Sequence, residues 1–203
     1  MRTLLATIAT VAGASIALLG VASRSQDLGA VAVDDREAYA VYSTLLPNEW
    51  TVRVAHATTL VIQKETATNR ECMPSGKPLE TDWRPVVDGF KAANAKVCAV
   101  LSGYDLGRPY VVVSSEDIRL TFKELPDDPM SGWTGFYRRY PESGGYLQVS
   151  GVGFDTPKLR AMVYMAHYCG NRCAGGMYHF LEKTNGTWRE VTIPGVTQPI
   201  WAW

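Results

Sequence analysis

The chain has 203 residues, 20 basic and 20 acidic side chains, 46% hydrophobic and 20% charged residues. Those proportions exclude disorder, collagen and coiled coil as the main state, and neutral charge lacks the basic excess of a nucleic-acid binder. The length suits one domain with a short appendage.

Residues 1–23 read as a secretory signal. Met1-Arg2 is a positive start, residues 3–23 are uncharged and rich in Leu, Ala, Ile and Val, and polar Arg24-Ser25-Gln26-Asp27 follows. Val21 and Ser23, or Gly20 and Ala22, suit the small-residue positions of a cleavage site. An uncleaved anchor is the competing reading, because the apolar run reaches the roughly 20 residues that span a bilayer. Removing residues 1–23 deletes one charged group, Arg2, and leaves 19 basic and 20 acidic side chains. Residues 24–33 then read as a flexible leader, and 34–203 as a single α+β domain.

In that domain Asp34 or Asp35 caps a first helix, with Glu37 in its first turn. Ala38, Val41, Tyr42 and Leu45 share one helical face, and Pro47-Asn48 ends it. Residues 51–55 and 58–64 read as strands. Residues 66–81 are polar, contain Pro74, Gly76 and Pro78, and read as a loop tied at Cys72. Thr81 or Asp82 caps a second helix that tolerates Pro85 in its first turn. Val86, Phe90 and Ala93 form its apolar side, and Trp83 and Phe90 read as core.

Residues 97–101 and 109–114 are β-rich runs around a Gly-Tyr-Asp-Leu-Gly turn. Residues 118–122 suit a short strand or a helical turn, and 125–132 are rich in turn residues. Trp133 to Tyr140 is aromatic and basic; Pro141 stops it, and Gly144-Gly145 is expected to turn the chain.

The C-terminal third has the clearest pattern. Residues 146–154, 159–168, 177–183 and 187–192 read as four strands of an antiparallel meander. Asp155-Thr-Pro157, a loop over 169–176, and Asn185-Gly186 separate them; Asn-Gly is a strong two-residue hairpin signal. Residues 159–168 are apolar at almost every position, which predicts a central strand buried on both faces. The expected architecture is α+β, an antiparallel sheet packed with two N-terminal helices.

Export makes disulfides the default for Cys72, Cys98, Cys169 and Cys173. The simplest pairing joins Cys169 to Cys173 and Cys72 to Cys98. The second bridge closes a loop of about 27 residues, worth about 3 kcal/mol by chain entropy. A zinc site of His167, Cys169, Cys173 and His179 is the sharper alternative, with two thiolates and two imidazoles close in sequence. A redox-active Cys169/Cys173 pair is a third, although exchange sites usually space their cysteines as C-x-x-C.

The order of motifs in this region carries a resemblance. Tyr140-Pro-Glu-Ser-Gly-Gly-Tyr146, Ser150-Gly-Val-Gly-Phe154, Ala161-Met-Val-Tyr164, Cys169-Gly-Asn-Arg-Cys173, Gly175-Gly-Met-Tyr178 and Glu182-Lys-x-x-Gly186-x-Trp188 follow in succession. The series resembles a group of uncharacterised exported bacterial proteins with a YPxSxGY, SxVGF, CGxxCxGxxY and KxxGxW succession. It covers about residues 133–192, with Ala174 where the group has Gly. The resemblance implies export and topology and assigns no catalytic residue.

No Gly-x-Ser-x-Gly elbow, His-Glu-x-x-His or Gly-x4-Gly-Lys-[Ser/Thr] motif occurs. Asp127-Asp128 lacks the spacing of a calcium loop. His56 reads as an ordinary polar residue. His167 and His179 flank the Cys169–Cys173 loop, and hairpin register decides whether they meet. Trp133, Tyr137, Arg138 and Arg139 are candidate ligand-binding residues, because guanidinium groups among aromatics suit an anionic or glycan ligand. Asn185-Gly186-Thr187 fits a glycosylation sequon, but the hairpin turn explains it.

The sequence therefore predicts a secreted or periplasmic, monomeric, non-enzymatic binding or interaction module. Its ligand would be a small molecule, glycan or protein, with no cofactor, no nucleic acid, and no membrane contact after signal cleavage. The alternative is a metal- or thiol-dependent site, or a hydrolase, around His167, Cys169, Cys173 and His179.

Overall fold

The computed structural model describes residues 31–48, 57–68, 73–123, 132–198 and 200–202. The expected signal, the strand over 51–55, and His56, Cys72 and Asp127-Asp128 lie outside them. Among the described residues no helix is long and apolar enough to cross a membrane.

The helices are α1 (Arg36–Leu45), α2 (Lys77–Glu80), α3 (Arg84–Ala93), α4 (Ser115–Thr121) and α5 (Trp133–Arg139). The strands are β1 (Val31–Ala32), β2 (Thr59–Gln63), β3 (Cys98–Ala99), β4 (Tyr110–Val113), β5 (Ser143–Val149), β6 (Gly153–Phe154), β7 (Arg160–Gly170), β8 (Cys173–Thr184), β9 (Thr187–Val191) and β10 (Trp201–Ala202). Beta1 pairs in parallel with β3, so the end of the expected leader joins the domain. The remaining strands form one sheet in the order β10-β8-β7-β5-β2-β4, with β6 on β7 and β9 on β8.

The expected meander is present, because β5, β7, β8 and β9 pair antiparallel in succession. The sheet as a whole is mixed, which corrects the antiparallel expectation: β2 pairs in parallel with both β4 and β5. Parallel neighbours need long crossovers. Here α2 and α3 lie between β2 and β4, and α4 and α5 between β4 and β5. Helices in the middle of the chain also correct the expectation of two N-terminal ones.

Local chemistry explains the elements. The Asp35 carboxylate accepts the Glu37 N–H at 2.9 Å and caps α1, as expected. Thr81 and Asp82 do not cap α3; its boundary residue is Trp83, without a side-chain capping bond, and Pro85 sits in the first turn. The expected strand over 146–154 is broken after Val149. There Ser150 Oγ accepts the Tyr164 N–H, and Asn94 accepts from Gly151 N–H and donates to Gly151 O. Gly144-Gly145 lies inside β5 rather than in a turn. Asn185 and Gly186, at φ 51° and 80°, make the expected two-residue hairpin.

The sheet is buried on both faces. Ala161, Val163 and Met165 of β7 pack toward α1 with Leu60, Ile62, Leu147 and Val149. Met162, Tyr164 and Ala166 point the other way, toward Val86 and Phe90 of α3. On that second face α5 places Trp133 and Phe136 over Val61 of β2. Residues 161–166 are all buried, as an apolar run with a side-chain period of two requires. Close approach of α3 needs glycine: a Cβ on Gly153 would lie 2.2 Å from Phe90 N.

Candidate functional site

The β7–β8 hairpin is longer than its sequence suggests. Only Asn171 and Arg172 lie between the strands, so most of the expected 169–176 loop belongs to the ladder. A disulfide joins Cys169 to Cys173 with Cα atoms 4.9 Å apart and closes a five-residue loop holding Arg172. The Tyr137 hydroxyl donates to the Cys169 carbonyl at 2.9 Å and ties α5 to this tip. Behind it Tyr146 and Tyr168 stack at 4.8 Å. Burial pushes the Tyr146 hydroxyl up to about 12, so it stays protonated.

The ladder register decides what the tip can do. His167 stands opposite Gly175, Met165 opposite Met177, and Val163 opposite His179. His167 and His179 share a face by parity. They are four ladder positions apart, roughly 13 Å along the strands. The direct imidazole pair envisaged from sequence is therefore not formed.

Between the tip and β10 lies a groove of about 350 Å³. Met165, His167, Ala174, Gly175, Met177 and Ile200 line it, with Arg172 and Cys173 at the hairpin end. Two adjacent glycines shape it. A Cβ on Gly175 would meet His167 Cε1 at 3.0 Å, so the imidazole lies over the strand where a side chain would stand. On the opposite face a Cβ on Gly176 would lie 2.3 Å from Tyr164 Oη and 2.8 Å from Trp201 Nε1. The Trp201 indole N–H donates to Tyr164 Oη at 2.7 Å and anchors β10 beside the groove. Ile200, just before β10, is 67% exposed, an unusual place for a large aliphatic side chain.

His179 is buried elsewhere on the face. Its Nδ1 lies 2.7 Å from Glu190 Oε1. That hydrogen bond holds the Glu190 carboxyl below its usual range, against an opposing effect of burial. A carboxylate thus orients this imidazole, but the pair does not line the groove. The four-residue zinc alternative does not converge either: His179 is remote from His167, and each cysteine sulfur is bonded to the other, not a thiolate. Among the described residues no cluster of three His, Cys, Asp or Glu suits a metal ion.

The proposed Trp133, Tyr137, Arg138 and Arg139 surface divides. Trp133 is buried among Phe122, Phe136 and Tyr146, and Tyr137 serves the hairpin tip. Arg138 and Arg139 are exposed at the end of α5. Cys98 is half-buried and forms no disulfide among the described residues. Sequence reasoning missed Met165, Arg172, Met177 and Ile200 as one constellation. The available signal was Gly175-Gly176, two missing side chains inside a strand, which marks close approach or an open surface.

An apolar concavity with an imidazole and one guanidinium can bind and orient a small molecule. Among the described residues it holds no hydroxyl or thiol paired with a base, the arrangement nucleophilic catalysis requires. The chain matches no protein-family model, no curated protein and no solved structure.

Proposed function

We propose that this chain is an exported, monomeric, non-enzymatic binding module that takes a small apolar ligand in the groove beside the β7–β8 tip. Export rests on the charged start and apolar run of residues 1–23, and on the resemblance of residues 133–192 to exported bacterial proteins. The Cys169–Cys173 disulfide is compatible with an oxidising compartment. The observation that carries the binding reading is the groove itself. Its volume is at the low end of small-ligand sites, and its walls are mainly Met165, Ala174, Gly175, Met177 and Ile200.

The test is titration of the oxidised protein with a neutral aliphatic alcohol such as decanol, followed by calorimetry and tryptophan fluorescence. Ile200→Asp places a charge at the exposed rim without touching the core and is expected to abolish binding. Gly175→Leu, which fills the floor, should do the same. Equal binding by the parent and both variants, or no binding by the parent, refutes the reading. Intact mass from the exported fraction tests the compartment: the expected mass lacks residues up to about Ser23.

A further inference from the structure

We infer that the ligand of this groove is a single-chain aliphatic carboxylate, with its acid group on Arg172 and its chain over Met165, Met177 and Ile200; the inference rests on the groove reading above. Arg172 is the charged residue lining the groove among the described residues, and every wall beyond His167 is apolar or backbone. Of the other cations on these hairpins, Arg189 lies on β9 and does not line the groove, and three are paired. Lys158 pairs with Asp35, Arg160 with Glu182 and Lys183 with Glu37. Among the described residues Arg172 has no hydrogen bond or ion pair, although it borders an apolar concavity.

Geometry gives the ligand a direction. From Cys173 at the tip, β8 runs past Gly175, over which His167 lies, to Met177 opposite Met165. That path is roughly 13 Å at the rise of a strand, enough for a medium-length aliphatic chain. The cation stands at one end and the thioethers at the other, the polarity of a fatty acid. A guanidinium presents two parallel donors that match a carboxylate, and Arg172 is exposed at the end of the groove, where an acid group can reach it. Arg172 is also placed in advance. It sits inside the five-residue disulfide loop whose Cys169 carbonyl is held by Tyr137, so little backbone freedom remains to be lost on binding.

Decanoate, decanol and decylammonium, each below its aggregation threshold, are titrated separately into the oxidised protein and into Arg172→Gln. Near-UV circular dichroism verifies the fold of the variant. The expected result is decanoate bound about tenfold or more tightly than decanol by the parent. Arg172→Gln should abolish that preference, so that decanoate binds no more tightly than decanol. Equal affinity for decanoate and decanol, preference for decylammonium, or a preference that survives Arg172→Gln overturns the inference while the groove reading stands. Failure of all three probes to bind overturns the groove reading itself. Binding to phosphatidylglycerol vesicles without binding of monomeric decanoate also overturns the inference, in favour of a membrane surface.

Discussion

The Trp201 indole N–H and the Tyr164 hydroxyl meet at 2.7 Å directly over Gly176. Two strands that flank β8 are thereby joined across it, in a space that exists because β8 has no side chain there. Gly176→Ala puts a methyl group into both partners and is expected to cost about 1–3 kcal/mol through overpacking. Trp201→Phe keeps an aromatic ring but loses the bond and part of the indole's packing, for about 1–3 kcal/mol. Urea denaturation gives both values. If Gly176→Ala is as stable as the parent, β10 does not depend on this contact.

Glu37 anchors the start of α1. It accepts Lys183 Nζ at 2.8 Å and the Trp188 indole N–H at 2.9 Å. The Lys183 bond first, then the Trp188 bond, hold its carboxyl below the usual range, with burial opposing. The folded value lies below the unfolded one of about 4.3, so the contribution is complete above that pH. It is lost as pH falls through the folded value. Glu37→Gln is expected to lower stability near neutrality by about 1–2 kcal/mol and to flatten this part of the acid limb. Unfolding curves of the two proteins should differ near neutrality and converge once the pH falls below the folded value of the Glu37 carboxyl. A parallel offset at both pH values would contradict the assignment.

Reduction of Cys169–Cys173 opens a five-residue loop, for which chain entropy predicts a loss of about 2 kcal/mol. Thermal melts with and without a dithiol reductant measure it. Cys169→Ser with Cys173→Ser should melt like the reduced parent. A melt unchanged by reduction would mean that the strand register alone holds the tip.

Gly153→Ala is expected to cost about 2–3 kcal/mol, because its Cβ would fall 2.3 Å from Phe90 Cα and push α3 off the sheet. Gly103→Ala is the control. Its Cβ would touch the Tyr39 ring at 3.5 Å, ordinary contact, so it should be near neutral. Equal melting of the two variants would refute the packing argument.

The parts of the fold legible in sequence were those with local causes. Asp35 capped α1, Asn185-Gly186 turned a hairpin, and the apolar run of β7 became a strand buried on both sides. The Cys169–Cys173 bridge followed from spacing. Parallel pairing of β2 was not legible, because Leu60, Val61 and Ile62 carry no information about which distant strand they meet. The aromatic and basic side chains of the α5 segment suggest a ligand surface in sequence, and only the sheet beneath explains why Trp133 and Phe136 turn inward. Register hid the site. Placing His167 opposite Gly175, rather than near His179, is what leaves a concavity, and β10 is too short to show any pattern.

The sheet order also sets a sequence of assembly. Beta2 lies between β4 and β5, and its partner β5 arrives some 80 residues later in the chain. Beta2 and β4 alone would be a two-stranded ribbon with little to bury, and such ribbons are marginal in water. The β5–β7–β8–β9 meander, whose links are short, can form from local contacts. Folding during synthesis is therefore expected to begin in the second half of the chain rather than at the first strands. Thr59 to Gln63, whose three central residues are buried in the folded sheet, would stay exposed until the second half of the chain supplies the surface they join, the condition under which aggregation competes with folding.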